Sequence, residues 1–490
     1  MKPWDRRFEH RFEYIGESIS FAGNCGDGGS EADRAKVSQL MDELAVRLSP
    51  PEHPGRESEA RGAGGAAEGY LPLRKWLSEA YEAFGEPGIG PEHLLLTGSA
   101  TEALGVVLRA VVKPGDEVLV ETPASPEALA LLREHGAVAV PVACDRDGML
   151  PDHLRRIISS AKPGLVYVTP QYSNPSGTVW SRSAKLALLD ICDRYGIPII
   201  EDNSAGIVPF ARVMDLNDAK SAPETKSLYA LQQQQQLTGA QVIGIASFES
   251  TLCSSRPVSW ISADISLITR LIELRRIEKG TSQTSPPLDQ NDLNQRALYS
   301  LLSGRRAELQ TCEVTMADTA QADIVEGANE VKYDKADKAD KADKADKADK
   351  ADKVGIASND EGSTNRYLSW RDYVMTVEES YAARRTLMLQ LLQCNEWRGC
   401  RVENPGGGLF LWVTLPSGLS SEALLRAARI KGVTFVPGTF CYAPSTGIAY
   451  FKDMLLEESI RLNFAAQSED QISLGIALIG EAISEFTARS

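Results

Sequence analysis

An Asn and an Asp at two strand ends, one crossover apart, constrain this 490-residue chain more than any other feature. They lie in the stretch from Val166 to Asn203, VYVTPQYSNPSGTVWSRSAKLALLDICDRYGIPIIEDN. The run Gly164–Thr169 is β-branched and apolar enough to be buried on both faces of a sheet, and Pro170–Gly177 is a turn-rich loop that carries Asn174. Leu186, Leu189 and Cys192 then recur at helical spacing, with the Ser181 hydroxyl available to cap the helix start and Gly196 to stop it. Pro198–Glu201 reads as the second strand and delivers Asp202. A strand–helix–strand unit of this kind puts both side chains where open α/β sheets bind ligands, beyond the C-terminal ends of the strands.

Further strand-like runs at His93–Thr97, Glu117–Glu121, Ala137–Ala143, Gln241–Phe248 and Val258–Ala263 mostly alternate with helical patterns. That alternation predicts an α/β fold with a doubly wound, mostly parallel sheet of about seven strands. Helices of the Leu267–Lys279 and Asn294–Leu302 type lead out of it, and Gln232–Gln236 reads as a surface loop. Short strands at Gly408–Thr414, Thr434–Val436 and Ser459–Asn463 between helices predict a second, smaller α+β domain at the C-terminal end. Between the two, an Asp-Lys-Ala triplet repeats from Asp334 to Lys353. Its period of three drifts around a helix, so the Ala positions form no stripe to bury, and a solvated, marginal helix or disorder is expected. The expected organisation is an N-terminal arm and linker helix (residues 1–85), a large domain (86–305), a low-complexity insertion (306–366) and a small domain (367–490).

A formal net charge of −15 argues against a nucleic-acid surface. No apolar run is long enough for a membrane span, and the N-terminal MKPWDRRFEHRFEY lacks the apolar region of a secretory signal. The eight Cys are scattered without a C-x-x-C pair and the five His do not cluster, so reduced thiols in a cytoplasmic protein are expected and no metal site is.

The strand–helix–strand unit resembles the large domain of fold-type-I pyridoxal 5′-phosphate (PLP) aminotransferases of class I/II, with MocR-like and 2-aminoadipate-aminotransferase-like members the nearest in appearance. The resemblance implies that Asn174, in Asn174-Pro175-Ser176-Gly177, contacts the 3-oxygen of the cofactor and that Asp202 pairs with its pyridinium nitrogen. Gly98-Ser99-Ala100-Thr101 follows a strand and opens a helix, which points free backbone N–H groups and a helix dipole at an anion. In the family this turn holds the cofactor phosphate, although any strand-to-helix turn favours Gly and Ser. Tyr70, in the Gly69–Arg74 segment, matches a Tyr that reaches the partner subunit's cofactor, with a packing role as the other reading. Arg461, in Ile460–Ala465, matches the Arg that grips a substrate α-carboxylate, a bidentate task suited to a planar guanidinium. An Arg on an apolar strand is costly to bury alone, so either a carboxylate ligand or an internal salt bridge is expected there.

The chain departs from the family at the Lys that forms an imine with PLP and shuttles the proton. The matching segment is Ser247-Phe248-Glu249-Ser250-Thr251-Leu252, with Ser250 where the Lys belongs. The Arg expected to bind phosphate falls on Pro257, beside Arg256, and the ring-stacking aromatic is replaced by Ser125. The Tyr expected just after the pyridinium Asp is missing from Asp202-Asn203-Ser204. A serine forms no imine and its hydroxyl is a poor base, so the expectation is a catalytically impaired aminotransferase-like protein. It would bind an amino acid, a 2-oxo acid, or PLP held noncovalently. The alternatives are an active aminotransferase that draws a Lys from elsewhere, and a transcription regulator of the aminotransferase-fusion type. The few residues before Ile19 predict no winged helix. The resemblance further implies a homodimer.

Overall fold

The computed structural model describes residues 18–23, 31–48, 67–83, 89–204, 226–252, 256–278, 289–303, 370–405, 407–444 and 458–487. Residues 1–304 and 368–490 form one compact unit and residues 305–367 a second. The Asp-Lys-Ala repeat lies outside the described residues.

In chain order the first elements are β1 (Ile19–Ser20), α1 (Glu31–Leu48), α2 (Leu71–Ala83), β2 (Leu94–Thr97), α3 (Ala100–Val111), β3 (Glu117–Thr122) and α4 (Pro126–Glu134). There follow β4 (Val138–Asp145), β5 (Gly148–Met149), α5 (Pro151–Ser160), β6 (Leu165–Val168), α6 (Arg182–Tyr195), β7 (Ile199–Asp202) and α7 (Leu228–Gln235). Next come β8 (Val242–Ser247), β9 (Ser259–Ser262), α8 (Ile265–Glu278), α9 (Gln290–Leu302) and the long α10 (Trp370–Leu391). The chain closes with β10 (Arg401–Val402), β11 (Phe410–Thr414), α11 (Ser421–Ile430), β12 (Val433–Thr434), β13 (Val436–Pro437), β14 (Ser459–Asn463) and α12 (Glu469–Thr487).

Eight strands make the central sheet in the order β2-β9-β8-β7-β6-β3-β4-β5. The run β4-β3-β6-β7-β8 is parallel, whereas β9 is antiparallel to both its neighbours and β5 to β4. This is the doubly wound α/β sheet expected, with the two-residue β5 as an added edge strand. Alternate side chains feed opposite faces. Val118, Val120, Tyr167 and Ile200 pack with α3, α4 and α8 on one face, while Leu119, Val166 and Ile199 pack with α5, α6 and α7 on the other. Full burial of each such aliphatic side chain stabilises the fold by roughly 1.5–3 kcal/mol.

The crossover that carries Asn174 and Asp202 is built as the residues dictate. Ser181 Oγ accepts from the Ala184 N–H at the start of α6, and Gly196, at φ 63°, ends it in the left-handed region that glycine adopts without a Cβ clash. Register puts Val166 opposite Ile199 and Val168 opposite Glu201, so the β6 and β7 loops open at the same sheet edge.

A second sheet, β10-β11-β14-β13, is antiparallel and packs with α10 and α12 around Leu411, Val413, Ile460 and Leu462. Two expectations fail locally. The single strand at Thr434–Val436 is divided: Val433–Thr434 pairs in parallel with β1, and Val436–Pro437 pairs with β14. Phe435, 2% exposed, is the buried pivot at which the chain changes sheets. The glutamine run is not a loop but the second half of α7 and its cap: Ser227 caps the start, Gln232 is buried and donates Nε2–H to Ala240 O at 2.6 Å, and Gln236 ends it at φ 55°. Glutamine is a good helix former, and its side chain there supplies the polar partner of a returning turn.

Candidate functional site

Of the polar residues singled out in the sequence, Asn174, Asp202 and Ser250 stand at or beyond the C-terminal ends of the parallel strands β6, β7 and β8. Asp202 ends β7, and its Oδ2 accepts a 2.7 Å hydrogen bond from Tyr167 Oη while Oδ1 accepts from the Ser204 N–H at 2.9 Å. Tyr167 pairs with Ile200 across β6 and β7, so Tyr167 and Asp202, two residues beyond Ile200, share one face of the sheet. Burial holds the Asp202 carboxyl above its ordinary value, and the two neutral donors offset this in part. Among the described residues it has no ion-pair partner, so a cation brought to it would find an acid already in place.

Ser250 sits on the turn after β8, 1% exposed, and its hydroxyl donates to Ser204 O at 3.1 Å. That bond ties the β8 turn to the residues that follow Asp202. Two tyrosines of α10 hold the turn from the other side: Tyr381 Oη donates to Ser250 O at 2.6 Å and Tyr373 Oη to Thr251 O at 2.8 Å.

Asn174 lies in a second cluster. Its Oδ1 accepts from Arg461 at 2.7 Å, and its Nδ2 reaches Glu127 at 3.3 Å and Ser125 Oγ at 3.5 Å. Arg461, on β14, is fully buried; its guanidinium donates to Ala22 O at 3.0 Å and to Gly23 O at 3.4 Å, and lies 4.4 Å from the centre of the Phe410 ring. It forms an ion pair with Glu127 at 3.3 Å. Burial alone would raise the Glu127 acid, but the Arg461 charge and its hydrogen bonds outweigh this and hold the carboxyl below its ordinary value. The internal salt bridge is thus realised. Glu127 carries no warning in the sequence, because an acidic residue in a first helical turn is what the helix dipole favours anyway.

The loop bearing Asn174 is fixed by Glu121, at the end of β3. This buried carboxyl accepts from the Thr169 N–H at 2.8 Å, from the Thr169 hydroxyl, and from Ser173 Oγ at 3.1 Å. Burial pushes its pKa up to about 8 against those donors. The two glycines at the entry to β11 complete the loop's seat: a Cβ on Gly407 or Gly408 would stand 2.6 Å from atoms of Tyr172.

At the start of α3, Ser99 Oγ accepts from the Glu102 N–H and the Gly98 N–H donates to Glu102 Oε2 at 2.8 Å. Glu102 in turn pairs with Arg275 at 3.2 Å. The Ala100 N–H donates to Glu249 Oε1 at 3.3 Å, so the chain's own carboxylates face this helix start. Gly98 is held close to α9, where a Cβ would stand 2.5 Å from Asn291 Oδ1. Arg256 lies toward α1 and α9, bonded to Asp42 at 2.6 Å and to Asn294 at 3.2 Å. Tyr70 also meets α9, through its N–H on Gln295 at 2.8 Å, an edge contact with Tyr299 and the Arg296 guanidinium over its ring.

Sequence spacing missed Tyr167, Glu127, Glu121 and Glu249. Period-two alternation puts Tyr167 and Asp202 on a common face once register is known, but register is not written in either strand alone.

Comparisons with known proteins accord with this frame. Residues 48–204 match the family model for aminotransferases of class I and II. The chain is 24% identical over 430 residues to aromatic-amino-acid aminotransferase 1 of Thermococcus litoralis, covering 86% of this chain and 79% of that one. It is 24% identical over 454 residues to 2-aminoadipate transaminase of Thermus thermophilus, covering 93% and 85%. Among solved structures, the α-aminoadipate aminotransferase of Thermus thermophilus, complexed with N-(5′-phosphopyridoxyl)-L-leucine, superposes with a TM-score of 0.67 at 22% identity over 97% of this chain and 94% of that one. With its strand order, its paired Asn and Arg and its strand-end Asp, the chain resembles the class I and II aminotransferases and has the fold-type-I architecture.

Proposed function

We propose that this protein keeps the amino-acid and 2-oxo-acid frame of its family, built on Asp202, Asn174 and Arg461, but does not carry out ordinary transamination. Ser250 carries the reading. Its buried hydroxyl is bonded to Ser204 O, next to the strand end that holds Asp202, where the resemblance puts the Lys. A hydroxyl there supplies neither an imine nor a base.

PLP is the cofactor that the family implies, and the residues present do not fit it as a lysine-linked group. Glu249 takes the Ala100 N–H at the helix start, Arg256 is engaged by Asp42, and Ser125 stands where a stacking ring belongs. What this frame suits is a small carboxylate, with Arg461 as its charge partner and Asp202 free to hold a cation. The same reading treats the chain as a cytoplasmic homodimer with a large domain at 86–305 and a small one at 367–490. Cys144, Cys192, Cys394, Cys400 and Cys441 are free thiols, in keeping with a reducing compartment, and no described helix is long and apolar enough to cross a membrane.

An active aminotransferase needs a lysine from outside the β8 turn. Buried Lys185 donates its Nζ to Lys226 O at 2.9 Å, which commits it elsewhere. Incubation with PLP, borohydride reduction and peptide mapping decide between the two: no phosphopyridoxyl-lysine peptide is expected, and one labelled lysine site overturns the impaired reading.

A further inference from the structure

The Arg461 guanidinium is wholly buried, yet its Nε has no hydrogen-bond partner. Its contacts to Glu127 measure 3.3 and 3.4 Å. A well-formed guanidinium–carboxylate fork has two parallel bonds of about 2.7–2.9 Å. Glu127 therefore neutralises Arg461 without satisfying it. The Glu127 side chain is also one-third exposed while Arg461 is not exposed at all, so this carboxylate stands between the guanidinium and solvent.

We propose that Glu127 is a tethered carboxylate that occupies Arg461 in the ligand-free protein, and that a free carboxylate binds by displacing it. The proposal rests on the reading of Arg461 as a carboxylate site and names what regulates that site. Swinging out costs Glu127 the Ser125 hydroxyl at 2.9 Å and the Asn174 amide at 3.3 Å, a loss offset in part because it lies in the first turn of α4, where the helix dipole favours a negative charge, and its side chain is one-third exposed. The incoming group gains what Glu127 leaves unused, a closer fork and the Nε–H. Tethering sets the threshold: an attached competitor has an effective concentration of millimolar or more, so weak monocarboxylates compete poorly. Ligands with further polar groups for Asn174 and Asp202 compete well. Glu127 thereby tunes both affinity and selectivity.

Binding of acetate, succinate and 2-oxoglutarate, followed by saturation-transfer NMR and calorimetry without PLP, tests this. Glu127→Ala is expected to bind succinate and 2-oxoglutarate at least about tenfold more tightly than the unaltered protein. Glu127→Gln, which keeps the shape and removes the charge, is expected to gain in the same direction. Glu127→Ala with Arg461→Gln is expected to lose the gain. If Glu127→Ala does not fold, Glu127→Gln decides alone. Unchanged or weaker binding in a folded Glu127 variant, or a gain that survives the loss of Arg461, overturns the proposal. A labelled lysine in the borohydride experiment would sink the functional reading and leave this result standing, so the two failures are distinguishable.

Discussion

The ends of β7 and β8 are neighbours in one sheet, with Asp202 paired to Ile245, yet they differ in what they offer. The β7 side carries an acid seated by Tyr167 and, through the adjoining loops, an amide bonded to a buried arginine. The β8 side carries a serine and a glutamate, Ser250 and Glu249, both turned onto the protein's own backbone. On the proposed reading, one fold keeps the part of a site that recognises charge while losing the part that makes and breaks bonds. Recognition groups are spread over several loops, whereas the imine-forming group of this family is a single side chain.

The largest effect expected attacks the β8 side. Ser250→Lys, incubated with PLP and reduced with borohydride, should pass from no labelled peptide to a label at position 250, short of stoichiometric because Glu249 still faces the Ala100 N–H and Asp42 still engages Arg256; absence of any label there in a folded variant would break the assigned register. On the other side, Arg461→Ala removes the cation from Glu127 and Asn174. Breaking a buried pair costs about 3–5 kcal/mol, and the exposure of Glu127 puts this case near the lower end. Denaturant unfolding measures the loss, and a change below about 1 kcal/mol would show that Arg461 is not the keystone of the recognition cluster.

Glu121 offers a pH test of the loop that carries Asn174. Its acid is raised in the folded protein from 4.5 to about 8, so between those values the folded state holds a proton that the unfolded chain has released. Its contribution is full below the unfolded value and falls as pH rises toward the folded one. Stability should therefore decline across that window, by less than the roughly 1.4 kcal/mol per pKa unit that the shift sets as a ceiling. Glu121→Gln should flatten the slope; an identical slope in the variant would remove Glu121 as its source. The smallest effect is expected from Tyr381→Phe, which deletes the bond to Ser250 O and should cost about 1 kcal/mol. A Tyr381→Phe protein that unfolds with unchanged stability would show that the β8 turn does not depend on α10.

The βαβ unit was the most legible part of the chain. Strand limits at Leu165–Val168 and Ile199–Asp202 and the caps at Ser181 and Gly196 agree with local pattern because each rests on neighbours within a few residues. The glutamine run was misread as a loop because its helix is decided by where Gln232 finds a partner, Ala240 O. Thr434–Val436 was misread as one strand because sheet membership depends on which edge is vacant, β1 or β14.

What the sequence determined by itself was the doubly wound sheet and the strand ends and loops on which Asp202, Asn174 and Ser250 stand. Tertiary structure decided how those groups are used. Glu127 meets Arg461 across 334 residues, Glu249 meets Ala100 across 149, and Tyr167 meets Asp202 across 35. Such pairings follow from strand register and from how segments distant in the chain pack together, and neither is fixed by periodicity or propensity within a segment.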